Sequence, residues 1–259
     1  MPEAAAAPES PPDAWLGGTL QLHHAARGAH RAGTDAVLLA GLLDPSDDAV
    51  ICDVGSGTGA VGLTMARRVP TARVILVERD PDVAALARRN AELNGLSARS
   101  TVLTVDVLAP GSLRHAAGLV PDLADLVLTN PPFFEAGHYR PSPVAGKADA
   151  HGFPPGSLSG WLRTCVDVLR PGGRLGLIHR ADTLPACLDA LKGRFGAVAV
   201  RPVHARAEQA AIRVLITAVK GSRAPLALLP PLVLQDAGGR FTPQLAELNA
   251  GRGWIGSSP

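Results

Sequence analysis

Short apolar runs alternate along this chain with longer stretches whose apolar positions recur at helical spacing. The runs Ala49–Val54, Arg73–Val77, Thr101–Val105, Arg174–Ile178, Ala197–Val203 and Ala211–Val219, and the shorter Val127-Leu128, predict buried strands. Between them, helices are predicted over Asp35–Leu43 with Thr34 as cap, over Val61–Val69, over Pro81–Leu93, over His115–Val120, from Ser157 or Ser159 to Leu169, and over Thr183–Lys192. Asp80 and Pro81 supply the cap and first-turn chemistry of the third of these, and Asn94-Gly95 its stop. Strands and helices that alternate in this way form a parallel, doubly wound α/β sheet with helices on both faces, and its ligand sits at the carboxyl ends of the strands. The last two strands are close enough in sequence to pair as a hairpin.

The ends of the chain are less regular. Residues 1–14 are rich in Ala, Pro, Glu and Ser, without a basic start or an apolar segment, which predicts a disordered tail over 1–16 rather than a signal peptide. Residues 17–259 then form a single domain, with 17–44 as an N-terminal hairpin and helix and 225–259 as a C-terminal extension. Alternation through Thr19–His23, a turn near Arg27-Gly28 and a return to Arg31 predict the hairpin. Near the other end, Thr242 caps a last helix with Pro243 at its first position and Gly251 past its end.

Composition narrows the class. The chain has 259 residues, 46% of them hydrophobic, enough for a sizeable core, and no run of about 18 apolar residues that would span a membrane. Cys52, Cys165 and Cys187 are scattered and odd in number, so neither a disulfide framework nor a zinc site is expected, and a reducing cytoplasm is the expected compartment. A net charge of +2 is too small for a global nucleic-acid field. Locally, however, Lys192, Arg194, Arg201, Arg206, Arg213, Lys220 and Arg223 stand in one segment against a single acid, Glu208. If they share a face, they contact phosphates.

The strand Ala49–Val54 runs into Asp53-Val54-Gly55-Ser56-Gly57-Thr58-Gly59, a glycine-rich turn before a helix N-terminus where backbone can approach a ligand. About 20 residues on, Glu78 ends the next strand, where an acid grips ribose hydroxyls. Asp106, at the end of the third strand, is placed to accept from an adenine amino group or to cap the following turn. The glycines alone fit a nicotinamide dinucleotide as well as S-adenosylmethionine. Asp53, awkward beside a pyrophosphate but suited to the ammonium of a methionyl group, favours the second.

The stretch from Asp125 to Phe134 reads DLVLTNPPFF. Two prolines stiffen the chain as it leaves the strand. Asn130 presents an amide oxygen, the carbonyl of Pro131 is free to accept, Pro132 restricts Pro131, and Phe133 offers a flat face. This set suits methylation of a planar exocyclic or amide nitrogen, whose lone pair is delocalised and poorly nucleophilic. Two acceptors take its N–H hydrogens and draw it toward tetrahedral, by positioning and electrostatics. A strand-ending turn, where Asn and Pro are common, is the alternative reading. The long segment 134–155 that follows is expected to be a lid or a partly disordered loop.

Together these motifs resemble the class I S-adenosylmethionine-dependent methyltransferases. Gln21, Ala32-Gly33-Thr34-Asp35-Ala36-Val37-Leu38-Leu39-Ala40, the NPPF motif at Asn130–Phe133, Ser142-Pro143 and Val219–Pro225 more narrowly resemble the tRNA(Val) (adenine-N6)-methyltransferases. The resemblance implies a Rossmann-like, seven-stranded mixed sheet in the order 3-2-1-4-5-7-6 with strand 7 antiparallel. It also implies S-adenosylmethionine as cofactor, held by Asp53, Gly55, Ser56, Gly57, Thr58, Glu78, Asp106 and Asn130. Asn130, Pro131, Pro132 and Phe133 are then the target-amine contacts. The implied reaction is methyl transfer to adenine N6 in RNA, a tRNA near its anticodon, with no metal. Methylation of guanine N2 in rRNA or of a protein glutamine N5 offers the same planar nitrogen, and an NAD-dependent oxidoreductase is the alternative outside the class.

Overall fold

The computed structural model describes residues 11–24, 33–132 and 157–256. Strand β1 (Asp13–Trp15) pairs antiparallel with β2 (Leu20–Leu22) across a tight turn at Leu16–Gly18. The partner of the predicted Thr19–His23 strand therefore precedes it, and the expected tail loses its last residues. The reason is apolar anchoring: Leu16 is nearly buried and Leu20 and Leu22 fully so, a pull that the Ala/Pro/Glu composition of the preceding segment hides. The proposed turn at Arg27-Gly28, with His30 and Arg31, lies outside the described residues.

Helix α1 (Thr34–Ala40) starts with Thr34 already inside it. Gly33 takes the extended cap position and no side chain caps. Then follow β3 (Val50–Val54), α2 (Ala60–Arg68), β4 (Arg73–Glu78), α3 (Pro81–Leu93), β5 (Ser100–Thr104), α4 (Gly111–Ala116) and β6 (Ala124–Thr129). Asp80 caps α3 as expected, accepting from the Asp82 and Val83 N–H groups. Helix α4 is shifted from the predicted His115–Val120, because Pro110 opens it and Gly118, at φ 92°, ends it. Beyond the 133–156 segment come α5 (Ser157–Val168), β7 (Leu169–Arg180), α6 (Leu184–Leu191), β8 (Phe195–His204), β9 (Ala211–Lys220), β10 (Ala227–Leu228), β11 (Leu232–Val233) and α7 (Pro243–Asn249). The Thr242 hydroxyl caps α7 through the Leu245 N–H.

The large sheet runs β5-β4-β3-β6-β7-β9-β8, the expected order, with β9 antiparallel to both neighbours and the β8–β9 hairpin in place. Among the described residues it has nine strands instead of seven. The apolar strip after Pro225 is broken by Pro230-Pro231 into β10 and β11, which both run parallel along the open edge of β8. Arg201 fixes this edge by donating to the carbonyls of Pro230 and Gly256. One face of the sheet packs against α1, α2, α3 and α7, the other against α5 and α6. Among the described residues no helix is long and apolar enough to cross a membrane.

Two asparagines on α3 dock the N-terminal hairpin. Asn94 Oδ1 accepts from Gln21 N–H (2.9 Å) and its Nδ2 donates to Gln21 O (2.7 Å). One turn earlier, Asn90 Oδ1 accepts from His23 N–H (2.7 Å) and Nδ2 donates to His23 O (3.0 Å) and to Thr58 O (2.9 Å). Helical i, i+4 spacing matches the two-residue repeat of a strand closely enough for side-chain amides to replace a neighbouring strand's backbone. Asn90 is fully buried, so its loss strands three backbone groups. Asn90→Ala is expected to lower the unfolding free energy by about 3 kcal/mol, measured by denaturant titration.

Candidate active site

The carboxyl ends of β3, β4, β5 and β6 lie side by side, and each carries a residue singled out from the sequence. After β3 the chain turns through Gly55, Gly57 and Gly59 at φ 78°, 55° and 90°, a backbone that side chains with a Cβ resist. Gly55 and Ser56 donate to Val77 O at 2.9 Å each, tying the turn to the end of β4. Glu78 completes the tie: Oε2 accepts from Gly57 N–H (3.0 Å), and Oε1 from Arg79 (2.8 Å) and Asp80 (2.9 Å). A carboxylate held by three N–H groups is fixed in direction and retains lone pairs for hydroxyl donors. A Cβ on Gly57 would meet nothing within 4 Å, so this glycine serves conformation and open approach rather than packing.

Asp53 is the next-to-last residue of β3. It is 2% exposed, and Oδ2 accepts from Gly62 N–H at 2.9 Å, which holds the first turn of α2 against β3. Burial pushes its carboxyl up to about 7, with the Gly62 hydrogen bond opposing and the Glu78 charge adding. Ser56 and Thr58 are nearly buried within the turn, and Ser56 Oγ has no hydrogen-bond partner among the described residues. Asp106 is exposed and accepts from Leu108 N–H (2.8 Å) through Oδ1, so it caps its turn while Oδ2 stays available for a further donor.

The β6 end meets this turn directly. Thr129 is in register with Val54, and its Oγ1 donates to Val54 O at 2.8 Å. Asn130 is thus placed beside Gly55. Asn130 Oδ1 is buried without a partner among the described residues. Pro131 is buried and Pro132 exposed; Phe133 and the 134–155 segment lie outside the described residues.

Sequence reasoning missed Trp161. On α5 and 7% exposed, it donates from Nε1 to Thr129 Oγ1 at 2.8 Å. Its six-membered ring covers Gly55, where a Cβ would come within 2.7 Å of Cζ2 and 2.9 Å of Cη2. The available signals were only the scarcity of tryptophan and the position of α5 directly after the NPPF segment.

The basic residues do not share one face. Because β8 and β9 are antiparallel, Arg213, opposite Val203, stands at the same end of the sheet as Asn130, and Lys220, opposite Phe195, at the other. Arg213 pairs with Asp35 (2.9 Å) and Lys220 with Asp122 (2.9 Å), and Arg201 holds the C-terminal edge, so much of this charge is used internally. A surface cavity lined by Pro45, Ser46, Asp125 and Arg170–Arg174 also lies at that far end. It is remote from the strand carboxyl ends and plays no part in the site.

A doubly wound sheet with a β9-type antiparallel strand, a glycine turn clamped by an acid on the next strand, and an Asn-Pro-Pro corner beside it define a class I methyltransferase. The methyltransferase small domain family model matches residues 27–145. A tRNA1(Val) (adenine(37)-N6)-methyltransferase of Porphyromonas gingivalis is 36% identical over 160 residues, 60% of this chain and 61% of that protein. A release factor glutamine methyltransferase of Mycolicibacterium smegmatis is 37% identical over 163 residues, 60% of this chain and 54% of its own length. The chain thus matches less than two thirds of the length of these relatives. A solved structure of a predicted O-methyltransferase from Agrobacterium tumefaciens is 35% identical, covers 85% of this chain and 98% of that one, and superposes with a TM-score of 0.73. The chain belongs to the class I S-adenosylmethionine-dependent methyltransferases. Its cofactor is S-adenosylmethionine, and the residues present fit that molecule: Glu78 offers acceptors for ribose hydroxyls, and Ser56 Oγ is a buried polar atom awaiting a partner.

The Asp53 carboxyl gives a pH signature. Its folded value of about 7 lies above the ordinary 3.8, so the folded state holds a proton that the unfolded chain has released, and stability falls as pH rises from about 4 to 7. Asp53→Asn removes this titration. In the cofactor-free protein, the melting temperature of the variant is expected to drop less than that of wild type between pH 5 and pH 8, measured by calorimetry.

Proposed function

We propose that the protein transfers the methyl group of S-adenosylmethionine to the exocyclic N6 amine of an adenine in RNA, in a tRNA near its anticodon. The observation that supports this most directly is the orphaned Asn130 Oδ1. A desolvated acceptor without a donor costs about 1–3 kcal/mol, and an entering N–H relieves that cost. An adenine amine brings two. Asn130 Oδ1 takes one and the Pro131 carbonyl the other, which draws the nitrogen toward tetrahedral and turns its lone pair to the glycine turn. S-adenosylmethionine supplies, when bound, an electrophilic methyl group on a sulfonium. The methylated amine carries a surplus proton, which the two carbonyl oxygens hold by hydrogen bonds until water removes it. Phe133 is the proposed stacking partner of the base, at about 1–3 kcal/mol. An unpaired adenine in a loop needs little unstacking to enter such a corner, which favours tRNA loops over duplex.

A glutamine side-chain amide in a protein is the second reading, and the similarity to the Mycolicibacterium smegmatis enzyme favours it. Its nitrogen has the same planarity and the same two N–H groups. Incubation with labelled S-adenosylmethionine and either bulk tRNA or a peptide-chain release factor separates the two. N6-methyladenosine in the tRNA digest is the expected product, and label confined to the protein would overturn the RNA assignment. In the same assay, Asn130→Ala is expected to lower kcat by at least about 100-fold. Its affinity for S-adenosylhomocysteine, measured by calorimetry, should stay within a few-fold of wild type.

A further inference from the structure

Methyl transfer with inversion needs the acceptor nitrogen, the methyl carbon and the sulfur in line. The two halves of the site come from different strands, so something must hold their spacing. Backbone pairing brings Thr129 to Val54, yet each is the last residue of its strand, where the ladder ends. The side chain that spans the two exits is Trp161. Its Nε1–H donates to Thr129 Oγ1 (2.8 Å), which itself donates to Val54 O (2.8 Å). The far edge of the same indole lies where a Cβ of residue 55 would be. Thr129 is fully buried and Trp161 nearly so, so water offers no replacement for these hydrogen bonds. One rigid ring thus touches the residue before Asn130 and the first residue of the glycine turn.

We infer that Trp161 is a positioning residue, a spacer that sets the distance between the amine-gripping Asn130 corner and the cofactor-binding glycine turn. The inference rests on the methyl-transfer reading of the site. It explains the bare Gly55 as room for the indole as well as a backbone requirement. It also gives α5 a function: the helix inserts a ring between the two strand ends instead of merely covering the sheet. A displacement of about 1 Å at the reacting atoms costs on the order of 100-fold in rate, so a loosened spacer is read mainly in kcat.

The test uses Trp161→Phe, which keeps an aromatic ring and removes the donor, and Thr129→Val, which keeps the shape and removes the hydroxyl. Each is expected to lower kcat by about 10- to 100-fold, with the KM for S-adenosylmethionine within about threefold. The double variant is expected to be no worse than the poorer single one, because both break the same chain of bonds. A kcat within twofold of wild type for Trp161→Phe, or losses that multiply in the double variant, would overturn the inference. The Asn130 side-chain amide resonances provide a readout that needs no acceptor: with S-adenosylhomocysteine bound, they should shift or broaden in Trp161→Phe relative to wild type. If wild type methylates neither RNA nor protein, the proposed function fails on its own, and these resonances decide about Trp161. A shift supports the spacer; unchanged resonances overturn it.

Discussion

The side-by-side ends of β3 and β6 are the constraint on which this molecule depends. Two parallel strands that pair in register at Val54 and Thr129 release their chains at the same level, one into a glycine turn and the other into Asn-Pro-Pro. Parallel pairing requires crossover helices, and those helices cover the faces, so only the strand ends remain for chemistry. The glycine turn is then clamped from the β4 side by Val77 O and Glu78, and from the β6 side by the Thr129 hydroxyl. The proposed donor and acceptor sites follow from one piece of sheet geometry.

The polar groups divide between those that finish the fold and those left for a ligand. Asn90, Asn94 and Asp53 spend their hydrogen bonds inside the protein: the first two hold the N-terminal hairpin, and the last holds the start of α2. Ser56 Oγ and Asn130 Oδ1 are buried and unmatched among the described residues. Natural interiors rarely leave such atoms without a purpose. Both fall at the carboxyl ends of the strands, whereas Ser100 Oγ, Arg114 Nε and Arg201 Nε, also buried and unmatched, lie elsewhere in the fold.

The C-terminal extension belongs to the same scheme at one remove. Arg68 lies over the Trp254 ring, 3.6 Å from its centroid, and also donates to the Ala40 and Gly253 carbonyls. It thereby ties the segment around Trp254 to α1 and α2, which pack on one face of the sheet. Burial lowers the Arg68 guanidinium to about 10, still charged at neutral pH, so the stacking persists. With β10 and β11 covering the edge of β8, the extension protects an otherwise open strand from pairing with another chain.

By itself the sequence determined the alternation of strands and helices, the glycine turn, the acid after β4 and the Asn-Pro-Pro corner, because periodicity, caps and turn chemistry act over a few residues. The resemblance that these motifs carry extended this to the order of the sheet. Tertiary structure alone decided what distant side chains do. That Asp53 accepts from Gly62, that Trp161 reaches both Thr129 and Gly55, and that Asn90 stands in for a strand all depend on how whole elements pack, with partners 9, 32 and 67 residues away. The scattered cations show the same limit. Residues close in sequence on β8 and β9 are carried to opposite ends of the sheet, because an antiparallel pair of ten-residue strands separates its two ends by about 30 Å.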